Sequence, residues 1–495
     1  MQNVRRTILL GALALGAMSA VPSITLAQAV GPMSSAEIRA QSGLSGTSGW
    51  MVIDLDTGEV LDQRAGAEPF VPASVAKLPT AAFALDALGA DFRFETRLLA
   101  TGKPANGRLS GDLVLSGGGD PELSNEALAP LANALKRRGI NSISGGFFVD
   151  GTALPQLRQI EPSQHDYASY NPAISGLNLN FNRVHLLWDA RNGKKNLVVQ
   201  AESERLTRQV DGVRVAVASQ PGQPLFSLTG QGGNEVWQMS REAFRGRAAR
   251  WLPVKRPEAV AGEVFRTLAG ESGVNLGPPQ LADTRREGTV LASHLSRPLS
   301  EIVRDMLKYS TNLTAEVTGV AATRSIGLKV GTLKESAAVM NAWAASVGGF
   351  RPMDPGFKFA NHSGLSLEGR VSPERMCQFL AALGRRAPQA GLGHGRLPGG
   401  IAWYLKPYNV RDEGTAIDYD RLEVTAKTGT MNFVRGLAGY IATPGGKRLA
   451  FAVFSNDLER RGASSQRINK GWMNRARRLE RALIRNWVLM ADRRI

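Results

Sequence analysis

Residues 71–80 read VPASVAKLPT, and the fold turns on what Ser74 does there. The stretch leads into KLPTAAFALDALG, a run rich in Ala and Leu that predicts a helix. A serine at a helix start stands where unpaired backbone N–H groups and the helix dipole favour developing negative charge. Lys77 lies one turn on, on nearly the same face. A desolvated lysine, or one held near another cation, loses proton affinity and can take the proton of a hydroxyl. The same letters also describe a plain N-cap followed by a solvated lysine. Pro79 falls past the position where proline is free, so a small kink is expected.

Two distant stretches bear on that choice. Ser310-Thr311-Asn312 follows Tyr309 inside LSEIVRDMLKYSTNLTAEVTGVAATRSIG, which carries a helical period through Ile302, Met306 and Leu307. A hydroxyl there can relay a proton, and an amide can bind both a base and a peptide carbonyl. Lys427-Thr428-Gly429-Thr430 ends the strand candidate LEVTA. Gly429 lets a substrate backbone approach closely. Lys427 with the two threonine hydroxyls suits a terminal carboxylate. Each triplet or quartet alone is weak evidence. In order, at a helix start, in a helical region and at a strand end, they form the signature set of penicillin-recognising serine enzymes.

The bulk properties fit an exported multidomain protein. With 495 residues the chain exceeds one ordinary core, and two or three domains are expected. Apolar residues at 43% and charged ones at 21% exclude a disordered chain. Arg5 and Arg6 precede the apolar run ILLGALALGAMSA, and LAQA follows, the order of a signal peptide cleaved after Ala29, with Ala27 the near alternative. Cys377 is the single cysteine, so no intrachain disulfide can form, and its helical, apolar surroundings predict a buried thiol. The net charge is +17, much of it in ERRGASSQRINKGWMNRARRLERALIRNWVL. For an exported protein this suits weak association with an anionic membrane or wall surface better than nucleic acid. A solvated basic face accounts for it equally well. Nothing in the sequence points to an oligomeric state.

SGWMVIDLDTGEVLDQRAG reads as a hairpin, and LEVTAKTG, VRGLAGYIATPGG and KRLAFAVFSN read as strands that pair antiparallel. The last segment fits an amphipathic helix with Trp472, Ala476, Leu479, Leu483 and Trp487 on one stripe. Residues from about 180 to 240 alternate in short β-like runs. The expected organisation is a multidomain α+β protein. Residues 1–29 form the leader, 30–91 and 281–495 one discontinuous domain, and 92–280 a largely β insertion.

The gap from Lys77 to Ser310, 233 positions, is wide for a compact β-lactamase. The chain resembles the D-alanyl-D-alanine carboxypeptidase/endopeptidase family of low-molecular-weight class C penicillin-binding proteins, peptidase family S13. PASVAKLPTAA, SGGGDPELS, ISGLNLNFNRV, DMLKYSTNLTAE, SGLS and AKTGTMNFVRGLAGYI carry the resemblance. It implies a β-lactamase/transpeptidase-like catalytic domain over 30–91 and 281–495 with two modules nested in 92–280, and a periplasmic serine hydrolase of peptidoglycan stem peptides and D-Ala-diaminopimelate crosslinks, acylated by β-lactams and needing neither metal nor cofactor. By family role Ser74 is the nucleophile and Lys77 its base. Ser310 and Asn312 relay a proton and bind substrate backbone, Lys427 completes a cationic wall, and Thr428 meets the carboxylate. The backbone N–H groups of Ser74 and Thr430 form the oxyanion hole. Asp150, in FFVDG, approaches the cleft from the insertion. One departure is NHSGLS, where Asn361 and His362 replace the family's acidic residue and glycine. His362 titrates in a useful range, but a lysine-based site does not need it. The alternatives are a β-lactamase with a long insertion and a non-catalytic wall-binding protein. The first wants a deacylating glutamate, for which Glu316 is a poor candidate. The second wants a missing Ser, Lys or KTG, and all are present.

Overall fold

Both ends of the chain meet in one six-stranded sheet in the computed structural model, which describes residues 33–191, 195–219, 224–230, 234–386, 400–412, 415–463 and 468–493. The leader expected over 1–29 lies outside the described residues. The strand order is Val60–Arg64, Thr47–Asp54, Arg448–Asn456, Val434–Ala442, Glu423–Met431, Lys406–Pro407, every pair antiparallel. Alternation along the central strands divides their side chains between two layers. Trp50, Val52, Leu437, Phe451 and Val453 join one core, and Met51, Ile53, Tyr440, Ala452 and Phe454 join the other. Both faces being covered, Val434–Ala442 is buried at all nine positions and shows no polar alternation.

The C-terminal helix, Lys470–Arg493, covers the first face with Trp472, Ala476, Leu479, Leu483 and Trp487. Each such leucine adds about 1.5–3 kcal/mol by leaving water. Arg477, Arg478 and Arg481 stay exposed on its far side. The second face packs under the helices Lys77–Leu88, Leu299–Tyr309, Asn312–Ser325, Leu333–Gly348 and Pro373–Arg386. Cys377 belongs to the last of these, fully buried, its Sγ donating to the Met51 carbonyl at 3.2 Å.

The segment between the first two motifs has a core of its own. A five-stranded sheet in the order Pro279–Leu281, Phe147–Asp150, Leu113–Ser116, Glu95–Ala100, Thr289–Leu295 carries the helices Asn125–Arg137 and Pro257–Glu271. A four-stranded sheet (Thr207–Gln209, Asn196–Glu202, Arg183–Asp189, Arg247–Pro253) and a three-stranded one share that core. The expected boundary at 280/281 needs correction. Thr289–Leu295 pairs along Glu95–Ala100 and so belongs to the insertion. The chain returns to the motif-bearing half only at Ser296, whose N–H and Oγ bond Phe94 just before the Leu299–Tyr309 helix.

Candidate active site

Ser74 lies in a short 3₁₀ turn, Ala73–Ala76, and the α-helix proper starts at Lys77. The sequence had placed Ser74 at the α-helix start itself. Pro79 therefore falls in the helix's first turn, where a missing N–H forfeits no intrahelical bond, and the reason to expect a kink disappears. Ala73 has φ 47° and Ser310, the C-cap of Leu299–Tyr309, has φ 62°. Ser310 itself and the residue before Ser74 are thus left-handed, conformations that the surrounding packing must enforce.

Two glycines let the chain close on the Ser74 turn. A Cβ on Gly429 would lie 2.4 Å from the Pro72 carbonyl oxygen and 3.0 Å from Ser74 N. A Cβ on Gly364, at φ 73°, would lie 1.9 Å from the Ala73 carbonyl oxygen. The KTGT strand and the SGLS loop therefore press on the backbone of the Ser74 turn from two sides, which only glycine permits.

Lys77 is fully buried. Its Nζ reaches Ser74 Oγ at 2.9 Å, Asn312 Oδ1 at 2.8 Å and the Ser363 carbonyl at 2.7 Å. Desolvation lowers its pKa to about 7, opposed by the charge of Glu316. Once the ammonium loses a proton, the direction of its lone pair is decided by its neighbours. The amide and backbone oxygens only accept, so both remaining N–H bonds go to them. The lone pair is left facing the Ser74 hydroxyl, the one partner able to give a proton. Asn312 is itself oriented by its Nδ2, which donates to the Tyr170 carbonyl at 2.9 Å.

Lys427 is also buried, and its Nζ donates to Ser310 Oγ at 2.9 Å and to the Thr428 carbonyl at 2.8 Å. Burial, then repulsion from Lys77, Lys406 and Arg435, drives its pKa well below that of a free lysine. The strand Glu423–Met431 pairs with Lys406–Pro407 only at Ala426 and Thr425, so on that side its Lys427–Met431 portion is an open edge.

A cavity of about 310 Å³ opens over these groups, lined by Ala73, Ser74, Ser310, Asn312, Gly364, Leu365, Thr430, Met431, Asn432, Arg461 and Ile468, with Gln164 and Tyr170 from the insertion. Asp150 is not among them. It is 1% exposed, its carboxylate receiving Thr152 N and Oγ1, Ser116 Oγ and Arg286 N inside the inserted sheet. The expectation that it reaches the cleft is corrected: Gln164 and Tyr170 take that place. Thr428 lends its backbone oxygen to Lys427 and does not line the cavity, whereas Thr430 does.

His362 is buried against Gly319, with Nε2 2.8 Å from Ser336 Oγ, and burial lowers its pKa to about 3. A neutral imidazole in the core has no reach to Ser74. Asn361 Oδ1 receives Gly364 N, which shapes the SGLS turn. Glu316, a poor deacylating candidate from the sequence, holds the loop beside Lys77. Its carboxylate receives His362 N at 3.0 Å and Ser363 N at 2.8 Å, which holds the Ser363 carbonyl on Lys77. Burial raises its pKa, opposed by those bonds and by Lys77. Its spacing of one turn from Asn312 was the available signal.

Residues 34–478 match the D-Ala-D-Ala carboxypeptidase 3 (S13) family. The D-alanyl-D-alanine carboxypeptidase of Actinomadura sp. (strain R39) is 30% identical over 437 residues, covering 83% of this chain and 77% of that one. The D-alanyl-D-alanine carboxypeptidase DacB of Haemophilus influenzae is 26% identical, covering 82% and 85%. The crystal structure of penicillin binding protein 4 from H. influenzae superposes with a TM-score of 0.70 at 22% identity, covering 91% of this chain and 98% of that one, which shows a shared fold.

Proposed function

The chain belongs to the D-Ala-D-Ala carboxypeptidase 3 (S13) family, and from that premise we propose how its residues divide the work. The enzyme is a serine-type D-Ala-D-Ala carboxypeptidase acting on peptidoglycan stem peptides, and a penicillin-binding protein. Ser74 is the nucleophile and Lys77, as the neutral amine, its base. Ser74 Oγ attacks the penultimate D-Ala carbonyl while its proton passes to Lys77. The N–H groups of Ser74 and Thr430 hold the oxyanion. Ser310, its Oγ held by Lys427, gives its proton to the departing amine and takes back the one on Lys77, which returns the base to its neutral form. Water then cleaves the acyl-enzyme, and Ser74 is restored. Asn312 and the open edge of Glu423–Met431 hold the peptide backbone as an added strand. Gly429 permits that approach, and Lys427 with Thr430 faces the carboxylate. The same site opens D-Ala-diaminopimelate crosslinks and is acylated by β-lactams.

The observation that carries this reading is the set of three acceptors around Lys77 Nζ, of which only Ser74 can return a proton. Glu316, bound to two backbone N–H groups, is unavailable to activate a deacylating water, which disfavours the β-lactamase alternative. Among the described residues no helix is long and apolar enough to cross a membrane. Export to the periplasm with cleavage after Ala29 completes the proposal.

Mass spectrometry after incubation with crosslinked muropeptides, wild type beside Ser74→Ala, tests it. Monomers from wild type alone are expected. Release of D-Ala without monomers would remove the endopeptidase part, and rapid turnover of a reporter penicillin in place of a lasting adduct would replace the peptidase by the lactamase.

A further inference from the structure

Thr430, in the cavity wall, faces Arg435 on the neighbouring strand. Arg435 is 4% exposed. Its Nε and Nη2 donate to Glu480 Oε1 and Oε2 at 2.7 and 2.8 Å, and its Nη1 donates to Thr430 Oγ1 at 2.9 Å. Glu480 is 1% exposed on the C-terminal helix and also receives the Tyr408 hydroxyl at 2.7 Å. Burying such a pair is unfavourable unless its geometry is good, and replacing it by apolar side chains is often neutral or better. Two parallel bonds to one carboxylate fix the plane of the guanidinium. Stability alone would be served by that pair. The third bond leads out of the core to a hydroxyl on the cavity.

A hydroxyl has one proton and two lone pairs. With one lone pair receiving Arg435 Nη1–H, the proton of Thr430 is turned away from the guanidinium. A cation on the acceptor side also polarises the O–H and strengthens what it donates. We infer that Arg435, clamped by Glu480 of the C-terminal helix, is a positioning residue that presets Thr430 as a hydrogen-bond donor to the substrate's terminal carboxylate. The C-terminal helix thereby becomes part of carboxylate recognition. The inference rests on the D-Ala-D-Ala reading above, because it needs a substrate that ends in a carboxylate.

The test compares a peptide ending in D-Ala-D-Ala with its C-terminal carboxamide, using Arg435→Gln/Glu480→Gln, which removes both buried charges together. For the acid, kcat/KM should fall about 10- to 100-fold, mostly through KM. For the carboxamide it should change less than about 3-fold. Thr430→Val should give a similar selective loss and add little to the double variant, since both act through one hydroxyl. Arg435→Lys should recover part of the preference. If the double variant does not fold, Glu480→Gln alone, which keeps the Arg435–Thr430 pair but loosens its clamp, serves the same comparison. An unchanged acid-to-amide ratio in a folded variant, or multiplicative losses with Thr430→Val, would overturn the inference and leave the carboxypeptidase standing. Failure of the wild type to cleave the acid overturns both.

Discussion

The cavity has two walls, and they are made of different kinds of chain. One is assembled from the Ser74 turn, the Leu299–Tyr309 and Asn312–Ser325 helices and the Glu423–Met431 strand, where Lys77 and Lys427 are 0% and 2% exposed. The other comes from the irregular stretch between the inserted strands Phe147–Asp150 and Arg183–Asp189, where Tyr170 is 49% exposed and bonds Gln164 through its hydroxyl. A base near neutrality requires a lysine stripped of water, and that requires tight packing on every side. A rim that only meets the substrate can stay solvated. The walls touch at one informative point, the bond from Asn312 Nδ2 to the Tyr170 carbonyl. Because this acceptor is backbone, the insertion orients an active-site amide whatever side chain it carries there.

The largest effects should come from the buried wall. Ser74→Ala should abolish the acyl-enzyme and lower turnover by at least about 10⁴-fold, read by penicillin adduct mass and D-Ala release. Lys77→Met should lose about 10²- to 10⁴-fold in acylation rate while the fold, checked by circular dichroism, is retained. Comparable losses from Tyr170→Ala would erase the contrast between the walls.

The pH dependence sharpens the same contrast. In the proposed role Lys77 acts as the neutral amine, so kcat/KM should rise with pH along an acid limb near pH 7. The linkage has a definite sign. Lys77 titrates at about 7 when folded and near 10.5 when free. Between those values the unfolded chain binds the extra proton, so its contribution makes stability increase with pH across that window. Denaturant titrations of Lys77→Met should show a shallower slope there.

Next in size is the packing of the motif strand. Gly429→Ala should destabilise the protein by about 1–3 kcal/mol and slow acylation, because the new methyl meets the Pro72 carbonyl. A melting curve with penicillin-labelling kinetics measures both. The smallest effect belongs to the rim. Tyr170→Ala keeps the carbonyl that holds Asn312, so acylation by a small β-lactam should stay within about 3-fold. Hydrolysis of a long crosslinked muropeptide should fall further through KM. Equal losses for both substrates would mean that the side chain, and not the backbone, supports the base.

The same division explains what could be read in advance. Ser74 with Lys77 and Ser310 with Asn312 sit at short spacings, Lys427 ends a strand, and the structure brings all five to one cavity or its floor. The C-terminal helix left a period of 3.6 in the sequence, and the sheet, covered on both faces, left short apolar runs between turns. Gln164 and Tyr170 left none, since an irregular segment has no period, and Asp150 was credited with their place. Glu480 was hidden differently. On the helix stripe of Trp472, Leu479 and Trp487 it reads as one more charge in a basic segment, and only the pairing with Arg435 reveals it as buried. Thr289–Leu295 was missed as a strand because its burial pattern, largely exposed with only Leu291 buried, gives little alternation.

The central sheet has one more consequence, in the order of events at the ribosome and beyond. Thr47 meets Asn456 across a separation of 409 residues. The strand Thr47–Asp54 must therefore wait, unpaired on that edge, until nearly the whole protein has been made. Contacts so distant in sequence form slowly. The inserted region closes its own core from residues that arrive much earlier, so it can condense while Ser74 still lacks its lysine wall. The surroundings of Ser74 are thus completed last, when the final strands arrive.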